Sequence, residues 1–119
     1  MEVNKKEFLK TVTGTKINFD FLSKIEQTYG CLTSSTVQQL VSIQKEALFF
    51  DDFRLLSNDE ILNATEELHV DFITRNILPL IDCGDNDFIV FHIKTNKWSR
   101  FNIVDECSFK ERNSLEEVL

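Results

Sequence analysis

The chain of 119 residues has little that breaks regular structure, with only one proline and three glycines. Capping residues must therefore mark most ends of helices and strands. No apolar run approaches the roughly 20 residues that a membrane helix needs. The first residues, MEVNKKEFLK, lack the long apolar stretch of a signal peptide. The sequence therefore predicts a cytoplasmic protein that does not enter a membrane.

Residues that carry chemistry are also few. The three cysteines, Cys31, Cys83 and Cys107, are widely spaced and form no C-x-x-C motif, which argues against a disulfide framework and a zinc site. His69 and His92 are far apart, and no H-E-x-x-H, G-x-S-x-G or glycine-rich phosphate loop is present. We therefore expect no metal, no cofactor and no enzymatic activity.

Acidic residues outnumber basic ones by 20 to 13, which gives a net charge of −7. Such a chain is repelled by phosphate backbones, so nucleic-acid binding is disfavoured. A basic protein partner is favoured instead, because complementary charge speeds encounter and selects partners. The alternative is that the excess of acidic residues only keeps the protein dissolved.

Helices are predicted from apolar spacing and from caps. In NFDFLSKIEQTYG, Leu22, Ile25 and Tyr29 recur at helical spacing and Gly30 stands where a helix ends. The next helix is expected to run through SSTVQQLVSIQKEALFF, with Ala47 and Leu48 continuing its inward face. Capping boxes predict three helix starts, at Ser35 with Gln38, Ser57 with Glu60, and Ser114 with Glu117.

Strands are predicted for FRLLS, ILPLI, FIVFHI and WSRFNIV, which are rich in β-branched and aromatic residues. Pro79 suggests an edge position or a strand beginning for ILPLI, and Asn96 is expected at positive φ in a turn. Strands that follow one another through tight turns favour antiparallel pairing. The sequence thus predicts an α+β fold, a mainly antiparallel sheet flanked by helices, in one domain over residues 1–119, with 1–16 as a leader helix or extension.

The stretch DCGDND, from Asp82 to Asp87, raises three alternatives. An EF-hand loop needs glycine at its sixth position, but Gly84 is third. A catalytic carboxylate pair needs two different environments, and consecutive acids on a hydrated turn share one. A turn between two strands is favoured, because Gly84 supplies an unusual backbone angle and Asp and Asn bond their own backbone.

The remaining candidate site is a surface for a protein partner. Trp98 either lies under a helix or packs along its own hairpin, or it serves as an exposed aromatic anchor of the kind that interfaces favour. Acidic residues in loops could surround such an anchor, although the sequence does not show whether they converge. The predicted partner-binding residues are Asp51, Asp52, Asp85, Asp87 and Trp98.

The order of these segments resembles the SUKH superfamily. The resemblance rests on segments that match that family's succession of helices, strands and turns: IEQTYGCLTSSTVQQL, FRLLSNDEI, ILPLIDCGDNDFIVFHI, NKWSRFNIVDE and SLEEVL. Thr33 stands where the family usually has proline, and EALFFDD replaces its common Asn-Gly. The resemblance implies an α+β fold with a mainly antiparallel sheet.

The resemblance also implies a function. Many bacterial members of the family are immunity proteins that bind and neutralise a secreted toxin domain, often a nuclease. The expected partner is then a cognate, basic toxin domain, bound by a monomer or weak dimer. A small acidic secretion chaperone that binds an effector protein is the alternative.

Overall fold

The computed structural model describes residues 4–43 and 48–119. In chain order the elements are α1 Lys5–Gly14, α2 Phe19–Tyr29, α3 Ser35–Ser42, β1 Leu48–Phe50, β2 Phe53–Leu55, α4 Asn58–Leu68, α5 Phe72–Arg75, β3 Ile77–Gly84, β4 Asp87–His92, β5 Lys97–Asn102, β6 Cys107–Arg112 and α6 Leu115–Val118. The α+β class predicted from the sequence is confirmed.

The strands form one antiparallel sheet in the order β1-β2-β3-β4-β5-β6. Each strand pairs with the next one along the chain, so the sheet is a simple meander. β1 and β6 are its edges. The pairing of β5 with β6 shifts register between Trp98 and Arg100, and Lys110 in β6 has a positive φ of 53°, so this edge is irregular.

Helices cover both faces of the sheet. Arg100 and Phe101 are successive residues of β5 and therefore point to opposite faces. Phe72 of α5 packs against the ring of Phe101 with centroids 5.8 Å apart. On the other face the Arg100 Nε–H donates to the carbonyl oxygen of Val118 in α6, at 3.2 Å. The central strands are consequently buried on both sides.

The first sixteen residues contain α1, which packs on the body of the protein. Phe8 stacks on Phe50 of β1 with ring centroids 3.7 Å apart and planes 5° from parallel, and Val12 is also buried. α2 packs against α3 and α4, and the Tyr29 hydroxyl donates to the Ile61 carbonyl at 2.7 Å. Among the described residues no helix is long and apolar enough to cross a bilayer.

Several predicted helix ends are confirmed. α2 runs between the caps Asn18 and Gly30, the latter at φ 109°. α4 begins with the reciprocal capping box of Ser57 and Glu60. For α6, the Ser114 hydroxyl accepts the N–H of Glu117, as expected for its N-cap.

The third helix differs from its prediction. Its N-cap is Ser34 rather than Ser35, because the Ser34 hydroxyl accepts the N–H of Val37, while the Gln38 amide donates to the Leu32 carbonyl. The helix ends at Ser42, and Leu48 begins β1 instead of continuing it. Ala47 lies outside the described residues.

The sheet has two strands, β1 and β6, that the sequence did not indicate. The edge position suggested for Pro79 is wrong, although its place near the strand's beginning is right, because β3 pairs with β2 on one side and β4 on the other. Pro79 is tolerated there because β2 pairs only with Ile81 and Asp82. The register with β4 also shifts just after Pro79, so no regular ladder bond requires the missing N–H.

Candidate partner-binding surface

The meander brings three acidic turns to one end of the sheet. In an antiparallel meander, alternate turns lie at the same end. These are the β1–β2 turn with Asp51 and Asp52, the β3–β4 turn with Asp85, and the β5–β6 turn. We name this surface the acidic end and define it by Asp51, Asp52, Asp85, Asp87, Asp105 and Glu106. Neighbouring turns in the series are separated by two strand spacings, about 10 Å.

The backbone of two of these turns favours Asp and Asn, and Asp also supplies the negative charge of the acidic end. Asp85 and Asn86 have φ values of 53° and 67°, and Asp51 and Asp52 have 42° and 65°. Two successive residues at positive φ characterise the two-residue hairpin turn that matches strand twist. Asp and Asn are among the few residues other than glycine that adopt this conformation readily. The backbone of each turn therefore favours the residues found there.

Hydrogen bonds join two of the turns. The Ile103 N–H donates to the Asn86 carbonyl at 2.9 Å, linking the β5–β6 turn to the β3–β4 turn. The Asn102 amide donates to Asp87 at 2.8 Å, and its oxygen accepts the N–H groups of Val104 and Asp105 at 2.9 and 3.0 Å. This part of the surface is thus held in place by the sheet.

The carboxylates at this end differ in their partners. Asp51 accepts the backbone N–H of Lys5 at 2.8 Å, and Glu106 forms an ion pair with Arg75 at 2.7 Å. Within residues 4–43 and 48–119, Asp85 and Asp105 take part in no ion pair, and both are exposed. Asp85 and Asp105 are therefore the carboxylates most available to a cationic partner.

The stretch DCGDND is the strand-to-strand turn that its chemistry predicts. Gly84 adopts a positive φ of 84°, and Asp82 accepts the Gly84 N–H at 2.9 Å. Asp82 also forms an ion pair with Arg54 at 3.4 Å. Its carboxylate is therefore already bound within the protein, unlike the exposed carboxylates of the turn. In the described part of the chain, no group of three or more His, Cys, Asp or Glu residues is arranged to hold a metal ion.

The exposed-anchor interpretation of Trp98 is wrong. Its side chain is only 3% exposed and packs edge-on against Phe91, its cross-strand neighbour, with centroids 5.0 Å apart. The alternative, packing along its own hairpin, is what the structure shows. Trp98 also lies near the start of β5, whereas the acidic end lies beyond the last residue of that strand.

An apolar residue that sequence reasoning missed stands among the acids. Val104 is 69% exposed and immediately precedes Asp105 and Glu106 in the β5–β6 turn. A prediction of the β5–β6 hairpin would have located all three, but the strand after this turn carries little apolar patterning. Of the predicted site residues, the structure brings Asp51, Asp52, Asp85 and Asp87 to one end and leaves out Trp98.

A second polar arrangement lies inside the sheet. His92 Nε2 and the Ser99 hydroxyl are 2.7 Å apart across β4 and β5. The pKa of His92 lies below its ordinary value, because burial lowers it by more than the negative charge of Glu111 raises it. Ser99 is 0% exposed, so no substrate reaches its hydroxyl in this conformation. The pair satisfies buried polar atoms, as the interior of a sheet requires.

Comparisons of the chain with known proteins identify no relative. No family model matches the chain, and neither a curated protein nor a solved structure gives a significant match.

Proposed function

We propose that the protein is an immunity protein, which binds a cognate secreted toxin domain stoichiometrically and blocks it. The observation that carries this proposal is the placement of six acidic residues at one end of the sheet, where the carboxylates of Asp85 and Asp105 are exposed and form neither an ion pair nor a hydrogen bond with other described residues. The resemblance to the SUKH superfamily points to the same activity.

Electrostatics supports a basic toxin, for example a nuclease. An enzyme that acts on nucleic acid concentrates positive charge where it meets phosphates. The acidic end presents carboxylates on turns held by hydrogen bonds, and these carry charge of the same sign as the phosphates. It would speed association and then cover the substrate channel. The inhibitor itself need perform no chemistry.

The contact also has an apolar component. Protein interfaces gain much of their affinity from a few desolvated side chains at the centre, surrounded by polar ones. Val104 fits the central position, because it is exposed and acidic residues follow it directly. We therefore place Val104 at the contact instead of Trp98, with Asp85 and Asp105 beside it.

The test begins with the product of the adjacent gene, expressed in cells with and without this protein. We expect that product to arrest growth, this protein to restore it, and the two to form a one-to-one complex. The acidic end is then probed with Asp85→Asn combined with Asp105→Lys. Glu66→Gln combined with Glu67→Lys, on exposed positions of α4, makes the same change in charge elsewhere.

We expect the variant at the acidic end to bind the toxin about tenfold more weakly, mainly through slower association, and the α4 variant to bind as the unmodified protein does. Equal weakening by both variants would show that only net charge matters. A toxin complex that tolerates both would place the contact on another surface.

A secretion chaperone is the second candidate, favoured by exposed aromatic side chains on both edge strands. Phe49 on β1 is 55% exposed and Phe109 on β6 is 42% exposed. Such side chains could hold an effector in extended form beside a strand edge. A complex with an unfolded segment of a harmless effector, and a stable dimer of this protein, would support the chaperone.

A further inference from the structure

A groove of about 600 Å³ lies between α1 and α6. Its volume is in the range of sites that bind ligands or peptide side chains. We name it the α1–α6 groove and define it by its lining residues: Lys5, Lys6, Leu9, Lys10, Thr13, Glu116 and Leu119. None of these residues belongs to the acidic end.

The walls of the groove are fixed to the core. Phe8 holds α1 through its stack on Phe50, while Leu115 and Val118 of α6 are buried. On α1, Leu9 follows Phe8 and turns to the groove, where it is half-buried. Leu9 and Leu119 give the groove an apolar component, so a ligand gains from placing an apolar side chain there.

The charge of the groove is opposite to that of the whole chain. Three of its lining residues are lysines, and Glu116 is its one acidic side chain, whereas the chain carries a net charge of −7. Across the two described ranges, no carboxylate lies within 4 Å of the ammonium groups of Lys5, Lys6 or Lys10. These cations are available to an anionic ligand.

Positive charge continues from the groove onto the sheet. The Lys5 ammonium and the Arg100 guanidinium both lie over the ring of Phe53, at 5.1 and 5.5 Å from its centroid. The pKa of Lys110 is lowered, first by partial burial and then by the positive charges of Arg100, Arg112 and Lys5. Mutual repulsion of this kind is relieved when an anion binds.

We infer that the α1–α6 groove docks an acidic peptide segment of a partner protein, one in which aliphatic side chains are flanked by Asp or Glu. The aliphatic side chain would contact Leu9 and Leu119, and the carboxylates would face Lys6 and Lys10. This surface is separate from the one proposed to bind a toxin, and neither proposal depends on the other.

Other anionic partners fit the groove less well. A membrane surface is broad and selects protruding apolar side chains, whereas this site is concave. Single-stranded nucleic acid selects exposed aromatic rings on which bases stack, but Phe53 is covered by Lys5 and Arg100.

The test uses the full chain and a short fluorescein-labelled peptide in which two leucines are flanked by glutamates, followed by fluorescence anisotropy. Lys6→Glu combined with Lys10→Glu changes the groove. Lys16→Glu combined with Lys94→Glu makes the same change in charge at exposed positions outside it. Circular dichroism confirms that each variant is folded. A second peptide carries serine in place of both leucines.

We expect the groove variant to bind the peptide about tenfold more weakly and the control variant to bind it normally. The serine peptide should also bind more weakly, and added salt should weaken every complex. Equal binding by both variants, or no binding by the unmodified protein, would overturn the inference. So would tighter binding of anionic phospholipid vesicles or a DNA oligonucleotide that the groove variant loses.

Discussion

The acidic end and the α1–α6 groove carry opposite charge on different kinds of structure. The acids stand on turns whose positive φ values favour Asp and Asn. The lysines stand on a helix, where the backbone tolerates most residue types with only small differences in free energy. The net charge of −7 therefore does not reveal that the chain carries two surfaces of opposite sign. Charge at the turns is partly tied to the fold, whereas charge in the groove is free to change.

The largest expected effect is on the free energy of unfolding, at Phe8, the residue that holds α1 and thereby one wall of the groove on the core. Phe8→Ala should lower the free energy of unfolding by about 3–5 kcal/mol, because it removes a fully buried ring. Phe109→Ala, at a partly exposed ring, should change it by less than about 1 kcal/mol. Urea denaturation measures both.

Phe8→Leu retains apolar volume and keeps more of the protein folded for binding measurements. We expect it to weaken binding of the acidic peptide and to leave toxin binding unchanged. A large loss of toxin binding in the folded variant would mean that α1 also supports the acidic end. The N–H of Lys5 bonded to Asp51 is the contact through which it would do so.

Charge reversal at each surface should separate the two ligands. Asp85→Asn with Asp105→Lys should weaken toxin binding about tenfold and spare the peptide, while Lys6→Glu with Lys10→Glu should do the reverse. Combined, the four substitutions should act additively, because among the described residues none of the four substituted side chains is hydrogen-bonded to or ion-paired with another. Isothermal titration with each ligand measures the effects. Loss of both ligands in either variant would show that the surfaces are one.

Glu60 is a carboxylate that stabilises the fold, through Arg54 and the backbone N–H of Ser57, and belongs to neither binding surface. Burial raises its pKa, but the Arg54 hydrogen bond, the Ser57 cap and the Arg54 charge together lower it below the ordinary 4.5. A lowered folded-state pKa means that the ionised group stabilises the protein above the unfolded-state value and ceases to do so as pH falls through the folded-state value. Glu60→Gln should therefore cost about 1 kcal/mol at neutral pH.

The cost of Glu60→Gln should shrink as the pH falls below 4.5, because the unmodified side chain is then protonated as well. Urea denaturation at neutral and acidic pH measures this. Glu67→Gln, at an exposed position of the same helix, is the control and should show little effect at either pH. A cost for Glu60→Gln that persists at low pH would assign the effect to packing.

The smallest effect is expected at the β3–β4 turn. Asp85→Asn should change the free energy of unfolding by less than about 0.5 kcal/mol, because Asn adopts the positive φ of 53° as readily as Asp. Asp85→Val should cost about 1–2 kcal/mol, because a β-branched side chain is strained there. Thermal denaturation compares the two. Equal costs would mean that the turn does not constrain its residues.

Elements with local signals were predictable from the sequence. The α2 helix has Asn18 and Gly30 at its ends, α4 has both members of its capping box, and Asn96 takes the predicted positive φ of 56°. The β3–β4 turn followed from Gly84 and its acidic neighbours. In each case the residues that determine the conformation lie within a few positions of one another.

Features set by tertiary contacts were not predictable in the same way. Leu48 fits a helical face but pairs with Leu55 in a strand. Trp98 shares its strand face with the polar Arg100 and Asn102, which is typical of an exposed face, yet α6 packs on that face. The convergence of the turn acids depends on strand order, which only the assembled meander defines. The α1–α6 groove joins elements from opposite ends of the chain.

The irregular edge strand has a consequence for behaviour at high concentration. An exposed strand edge is a template on which another molecule can add a strand, and long flat edges lead to aggregation. Here β1 is only three residues long, and β6 is interrupted by Lys110 at positive φ and ends in Glu111 and Arg112. Both edges thus discourage sheet extension. A substitution that straightened β6 and removed its charges is therefore expected to promote polymerisation through this edge of the sheet.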